Sequence, residues 1–192
     1  MISLENEPRR GIIYQPRAKP WEKSNPHRAL KGRHILRRKG WFLAQSLSKI
    51  LLHVVFSTKN RENWIPQDIH QDLHAYLAGA SRGQGSEAFR VGGTENHVHI
   101  ACTLPRTLTV SKLLEEIKKT SSAWMKKQDT RCQEFAWQAG YGAFSLGQSQ
   151  LDALIQYIDN QQAHHKTKPF KEELIELLQK YAIEYDERYL WD

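Results

Sequence analysis

The 192-residue chain has only two cysteines, Cys102 and Cys132, and nothing near the ~18 consecutive apolar residues that a membrane-spanning helix requires. The first scarcity excludes a disulfide-stapled scaffold and fits a reducing compartment. The second, with a mean hydropathy of -0.66, excludes a helical membrane protein. No charged start leads into a long apolar segment with a small-residue cleavage site, so no secretory signal is expected and the cytoplasm is the expected compartment. A phosphate-cradling P-loop pattern is missing, and no trio of carboxylates stands out for a two-metal DNA-cutting site. What is present is ample core material. Hydrophobic residues make up 40% and aromatics 10%, in a length that fits one domain, or one plus an appendage.

A net charge of +7 suggests a nucleic-acid partner, but its placement changes the meaning. Residues 1–43 hold 11 Lys and Arg against 3 acidic residues, whereas residues 44–192 hold 17 basic and 18 acidic. The excess positive charge therefore belongs to the first fifth of the chain. That segment carries Pro8, Pro16, Pro20 and Pro26 and no helical or strand period until about Ala44. It is expected to be a disordered leader, either a basic arm that loosely holds DNA phosphates or a segment with no role. Residues 44–192 are expected to form the folded domain.

Within that domain the apolar pattern predicts a buried strand over Leu47–Ser57 and a helix over Ile65–Ala80 that ends at Gly83 and Gly85. A hairpin of Ala88–Val91 and His97–Leu104 follows. Val110, Leu113, Leu114, Ile117 and Trp124 then mark a helix to about Lys127. Phe135–Leu146 reads as a strand with a glycine bend, Gln150–His164 as a helix capped by Ser149, and Lys171–Tyr181 as a last helix. The order β-α-β-β-α-β-α-α predicts an α+β fold: a ferredoxin-like antiparallel sheet with helices on one face, plus C-terminal helices.

Two clusters carry chemistry. In His97-Val98-His99 the strand period points both imidazoles to one face, about 7 Å apart, so that two ligands can share one ion. The same spacing also suits an ordinary polar sheet face. On the later helix, Tyr157 and Gln161 are four residues apart and stack on one side, with His164 a further turn along. That flank lies about 90° or more from the centre of the helix's apolar stripe, so Tyr157 is free of its own core. An amphipathic tyrosine at the rim of a packed helix would look the same.

Three stretches taken together resemble the single-tyrosine HUH transposases of small bacterial insertion sequences, relatives of the REP-associated tyrosine transposases. They are His97-Val98-His99, Trp137-Gln138-Ala139-Gly140-Tyr141-Gly142-Ala143-Phe144-Ser145, and Tyr157-Ile158-x-Asn160-Gln161-x-x-His164-His165. The opening Ser46–Lys49 and Ser57–Lys59 and the closing Tyr185–Trp191 are similar to that family's ends. The resemblance covers about residues 46–192 and implies the HUH endonuclease fold in a DNA-associated bacterial protein. It further implies His97, His99 and Gln161 as ligands of a divalent metal ion, Mg²⁺ or Mn²⁺, and Tyr157 as the nucleophile on single-stranded DNA with hairpin ends. It also implies a homodimer in which the tyrosine helix of one subunit can complete the histidine pair of the other. Glu95 stands where relatives often have proline, and the resemblance gives His164 and His165 no role.

The residue types suit that chemistry. A phosphodiester repels nucleophiles, and a divalent ion on a nonbridging oxygen removes much of the obstacle. Three neutral ligands leave the ion open positions, although imidazole suits zinc as well as manganese. A phenol must lose its proton as it attacks. On the second helix Lys112, Lys119 and Lys126 recur every seven residues and could track a DNA backbone, or form a solvated face interrupted by Glu115 and Glu116. Two other classes compete with a strand transferase: a non-catalytic, domesticated hairpin-binding module, and a histidine-based metal hydrolase that forms no covalent adduct.

Overall fold

Strand β1, Leu51–Ser57, is buried along its whole length. That explains why its sequence, Leu-Leu-His-Val-Val-Phe-Ser, shows no alternation of apolar with polar residues: both of its faces are covered. The computed structural model describes residues 47–165 and 167–190, so the expected basic leader, residues 1–43, lies outside the described residues. With β2 (Ala88–Gly93), β3 (His97–Thr103) and β4 (Gly142–Leu146), β1 forms an antiparallel sheet in the order β2-β3-β1-β4. This is the ferredoxin-like arrangement that the element order predicts.

Alternation along the strands separates two cores. Leu52, Val54, Phe56, Val98, Ile100 and Cys102 point to one face and pack under helices α1 (His70–Gly83) and α2 (Val110–Gln128), through residues such as Leu73, Leu77, Leu113 and Ile117. His53, Val55, His97, His99 and Ala101 point to the other face. That face is roofed by α3 (Leu151–Asp159), the short α4 (Gln161–His164) and α5 (Phe170–Lys180), and a last short helix, α6, spans Glu187–Leu190. The C-terminal helices thus form a second layer opposite α1 and α2, and the two histidines lie beneath it.

Several boundaries differ from the sequence expectation. Leu47–Ile50 is not strand. Leu47 is 82% exposed, and the backbone bond from the Leu104 N–H to the Ile50 carbonyl at 2.9 Å lies three residues further in. Ile65 is buried but lies ahead of its helix, with its N–H donated to the Glu95 carbonyl at 2.9 Å, and a 3₁₀ turn at Gln67–Ile69 leads into α1. Only Gly142–Leu146 of the expected Phe135–Leu146 strand is ladder. Trp137 makes a single bridge to Thr58 and donates its indole N–H to Ser121 Oγ at 2.9 Å. The expected Gln150–His164 helix breaks at Asn160 (φ −91°, ψ 7°), which divides it into α3 and α4. Among the described residues no helix is long and apolar enough to cross a membrane.

Helix α3 rides directly on β2. A Cβ at Gly92 would lie 2.7 Å from Ile158 Cγ2 and 2.8 Å from the Ile158 carbonyl oxygen, so only glycine permits this approach. The Arg90–Asp159 ion pair at 3.1 Å ties the far end of α3 to the same strand. Gly92→Ala should therefore lower stability by about 1–3 kcal/mol, the usual cost of overpacking. Urea unfolding checks this, and an unchanged midpoint would show that α3 is not held against β2.

Candidate active site

His97 and His99 occupy adjacent inward positions on β3, and both are fully buried. The hairpin before β3 orients the first of them. His97 Nδ1 lies 2.8 Å from Asn96 Oδ1 and 3.0 Å from Thr94 Oγ1, and its ring stacks on Phe170 of α5 at 4.3 Å between centroids. His99 Nδ1 lies 2.9 Å from His53 Nε2 on β1, in a stacked pair of rings. With both Nδ1 atoms so engaged, the two Nε2 atoms face inward under the helical roof. His99 Nε2 is buried and has no hydrogen-bond partner.

The roof brings the other groups. Gln161 is fully buried, with Oε1 2.9 Å from His165 Nε2 and 3.3 Å from His97 Nε2. Its amide nitrogen donates to Glu173 Oε1 at 2.9 Å. The Tyr157 hydroxyl donates to the same carboxylate oxygen. Tyr157 and Gln161 thus share a side despite the break at Asn160, as the spacing of four predicts. Tyr157 is half-buried, with its ring edge-on to His99 and His53 at 5.7 and 5.9 Å.

Glu173 is the centre of this arrangement. It projects from α5, is 2% exposed, and its Oε2 lies 3.1 Å from His165 Nε2, 3.4 Å from His99 Nε2 and 3.6 Å from His97 Nε2. The ligand atoms of His97, His99, His165 and Glu173 all lie within 4.8 Å of one another. Sequence reasoning names neither Glu173 nor a role for His165. The available signal is a carboxylate at position 173 inside the apolar stripe of Phe170, Leu174, Leu177 and Leu178, where a charge has no place unless something pairs it.

The electrostatics follow from burial. Burial, reinforced by His99, holds His97 well below the ordinary histidine range and His53 at about 3, so both imidazoles are neutral and offer lone pairs. Burial also pushes Glu173 up, but its close contacts with His165, His99 and the Tyr157 hydroxyl outweigh that and hold the carboxyl below its ordinary range. Tyr157 is raised above the ordinary phenol value, first by burial and then by its bond to Glu173. Imidazole nitrogens around one carboxylate, with a partnerless Nε2 among them, are a donor set that a divalent cation fits. A cleft of about 410 Å³ opens beside them, lined by His53, Tyr157, His164, Glu173, Lys180 and Tyr181 among others.

The lysine row does not join this site. Lys112, Lys119 and Lys126 are exposed on α2, across the sheet from the histidines. Lys112 pairs with Glu115 at 3.2 Å and Glu116 at 2.9 Å. Lys118 turns away and ties the 138–140 segment, bonding the carbonyls of Gln138, Ala139 and Gly140, and burial lowers its pKa to about 8.

A ferredoxin-like sheet that presents a His-x-His pair from a central strand to a helix-borne tyrosine defines an HUH-type protein. Residues 46–161 match the family described as IS200-like transposases, and the chain belongs to that family. No curated protein matches it. Among solved structures it is similar to a candidate transposase from Deinococcus radiodurans R1, with 18% identity, a TM-score of 0.48, and coverage of 65% of this chain and 98% of that one. It is also similar to a REP-associated tyrosine transposase solved with a REP hairpin, with 16% identity, a TM-score of 0.48, and coverage of 66% of this chain and 74% of that one.

Proposed function

We propose that this transposase cleaves and rejoins single-stranded DNA at hairpin-bearing ends through a 5′-phosphotyrosine on Tyr157, with His97, His99 and Gln161 holding a divalent ion, Mg²⁺ or Mn²⁺. The observation that carries the reading is the approach of the Gln161 carbonyl to the inward nitrogen of His97 at 3.3 Å, with the Tyr157 hydroxyl held on Glu173 alongside. A divalent ion, when bound, supplies charge to neutralise a nonbridging phosphate oxygen. The remaining work belongs to the chain's own residues.

Tyr157 Oη forms the new bond to phosphorus, the bond from phosphorus to the 3′ oxygen breaks, and that oxygen leaves as a 3′-hydroxyl after gaining a proton. Glu173 Oε1 already contacts the phenolic proton, so the attacking oxygen is aimed and its proton has an acceptor at the moment of attack. Because the phosphotyrosine conserves the bond energy, a 3′-hydroxyl from a second DNA end can attack it, release Tyr157 and rejoin the strand. Neither step needs ATP.

Incubation with single-stranded hairpin DNA and Mg²⁺ or Mn²⁺, followed by denaturing electrophoresis, tests the proposal. A denaturation-resistant adduct supports strand transfer. Binding without an adduct supports the domesticated module, and free cleavage products without an adduct support the hydrolase. The active form is proposed to be a homodimer. A mixed dimer of Tyr157→Phe and His97→Ala subunits that regains cleavage would place the tyrosine in trans, and one that stays inactive would place it in cis.

If Lys119 and Lys126 track the DNA backbone, replacing both with alanine should reduce the slope of log affinity against log salt by about 0.7–0.9 per lysine. Hairpin binding measured between low and physiological salt checks this. An unchanged slope would assign the row to solvent.

A further inference from the structure

We infer that His165 and Glu173 belong to the cation site itself: three imidazole Nε2 atoms, from His97, His99 and His165, and Glu173 Oε2 surround the ion, while Glu173 Oε1 keeps hold of the Tyr157 hydroxyl. The inference rests on the proposed metal dependence and enlarges its donor set beyond His97, His99 and Gln161.

The first argument is the geometry around the His165 ring. Its Nδ1 lies 2.7 Å from the Lys168 carbonyl oxygen, which can only accept, so Nδ1 carries the proton. In the neutral ring Nε2 is then a bare lone pair. That lone pair faces two further oxygens, Gln161 Oε1 at 2.9 Å and Glu173 Oε2 at 3.1 Å. Three lone pairs converging without a positive centre repel one another, and a cation between them converts the repulsion into coordination. A carbonyl on Nδ1 is also the outer partner that ligating histidines use to aim Nε2.

The second argument is the carboxylate. Glu173 is a carboxylate at a buried position, and among the described residues His97, His99, His164 and His165 each bring a ring nitrogen within 4 Å of it. A buried carboxylate costs several kcal/mol or more unless positive charge compensates it. A divalent ion removes that cost. The third is His99 Nε2, which is buried, partnerless and 3.4 Å from the same carboxylate oxygen. These observations come from β3, α5 and the residue after α4, and they indicate one point in space.

The two oxygens of Glu173 then have different tasks. Oε2 faces the imidazoles, and Oε1 accepts from Tyr157 and from Gln161. The nucleophile is thereby connected to the cation through one carboxylate. A site with three imidazoles and few open positions suits a transition ion better than Mg²⁺, which demands oxygen donors and keeps its water.

Titration of the full chain with Co²⁺, read by calorimetry and visible absorption, tests this without DNA. The expected result is one Co²⁺ per chain, retained in millimolar Mg²⁺. Affinity should fall by at least about 10–100-fold in both His165→Ala and Glu173→Gln, with a changed absorption band for the residual complex, as loss of a direct ligand requires. An unchanged band in both variants, or displacement of Co²⁺ by equimolar Mg²⁺, overturns the inference. Circular dichroism verifies folding. If Glu173→Gln does not fold, His165→Ala at the rim of the site decides alone. A wild-type chain that binds Co²⁺ this way yet forms no DNA adduct keeps the inference and removes the strand-transfer reading. An adduct formed by a chain whose Co²⁺ band ignores both substitutions does the reverse.

Discussion

Tyr157→Phe is expected to abolish the denaturation-resistant adduct with hairpin DNA while leaving DNA binding intact. Only the phenolic oxygen is removed, and the ring keeps its edge-on contacts with His99 and His53. Glu173 Oε1 retains the Gln161 amide as a donor, so the carboxylate is not stranded. Losing one hydrogen bond to a charged group should cost about 1.5–3 kcal/mol of stability. The chemical effect is far larger, since without Oη there is no atom to bond to phosphorus. Electrophoresis under denaturing conditions reads the adduct, and thermal unfolding reads the stability. An adduct that survives the substitution would move the nucleophile elsewhere and remove the proposed mechanism.

His99→Ala should reduce adduct formation by more than about 100-fold, the upper end of what loss of a mere outer partner of a metal ligand costs. It should also remove any stabilisation of the fold by Mn²⁺. A site saturated at a hundred times its dissociation constant stabilises the native state by about 2.7 kcal/mol, and that increment should vanish in the variant. The substitution also leaves His53 Nε2 without its 2.9 Å partner and opens a cavity at a fully buried position, so the metal-free fold should lose about 2–5 kcal/mol. The diagnostic quantity is the difference between melts with and without Mn²⁺. If His99→Ala keeps the same metal-induced gain as the unaltered chain, the histidine pair does not hold the ion.

Much of this could be read from residue order, for physical reasons. The hairpin, the long α2 and the inward pair on β3 come from strong local patterns, namely a period of two, a period of 3.6 and a glycine turn. The burial of β1 was also written in the sequence. Leu51–Ser57 is apolar almost without interruption, which a strand with one wet face would not be. What local pattern could not supply is where α5 lands. Glu173 and His165 lie 12 and 4 residues beyond Gln161, past the end of the family match at residue 161, and their convergence on β3 depends on the break at Asn160. The lysine row on α2 has the spacing of a DNA-facing stripe, yet spacing carries no information about which side of the sheet a helix occupies.

The height of Tyr157 above the imidazoles is set by a side chain that does not exist. Ile158, the neighbour of Tyr157, rests on the bare backbone of Gly92, and Gly92 is the cross-strand partner of His99. One methyl group inserted there would act as a shim, tilting the whole tyrosine helix away from the pair it serves. Reacting atoms displaced by about 1 Å can lose on the order of 100-fold in rate. The smallest residue in the protein thus acts as the calliper for the attack proposed on Tyr157.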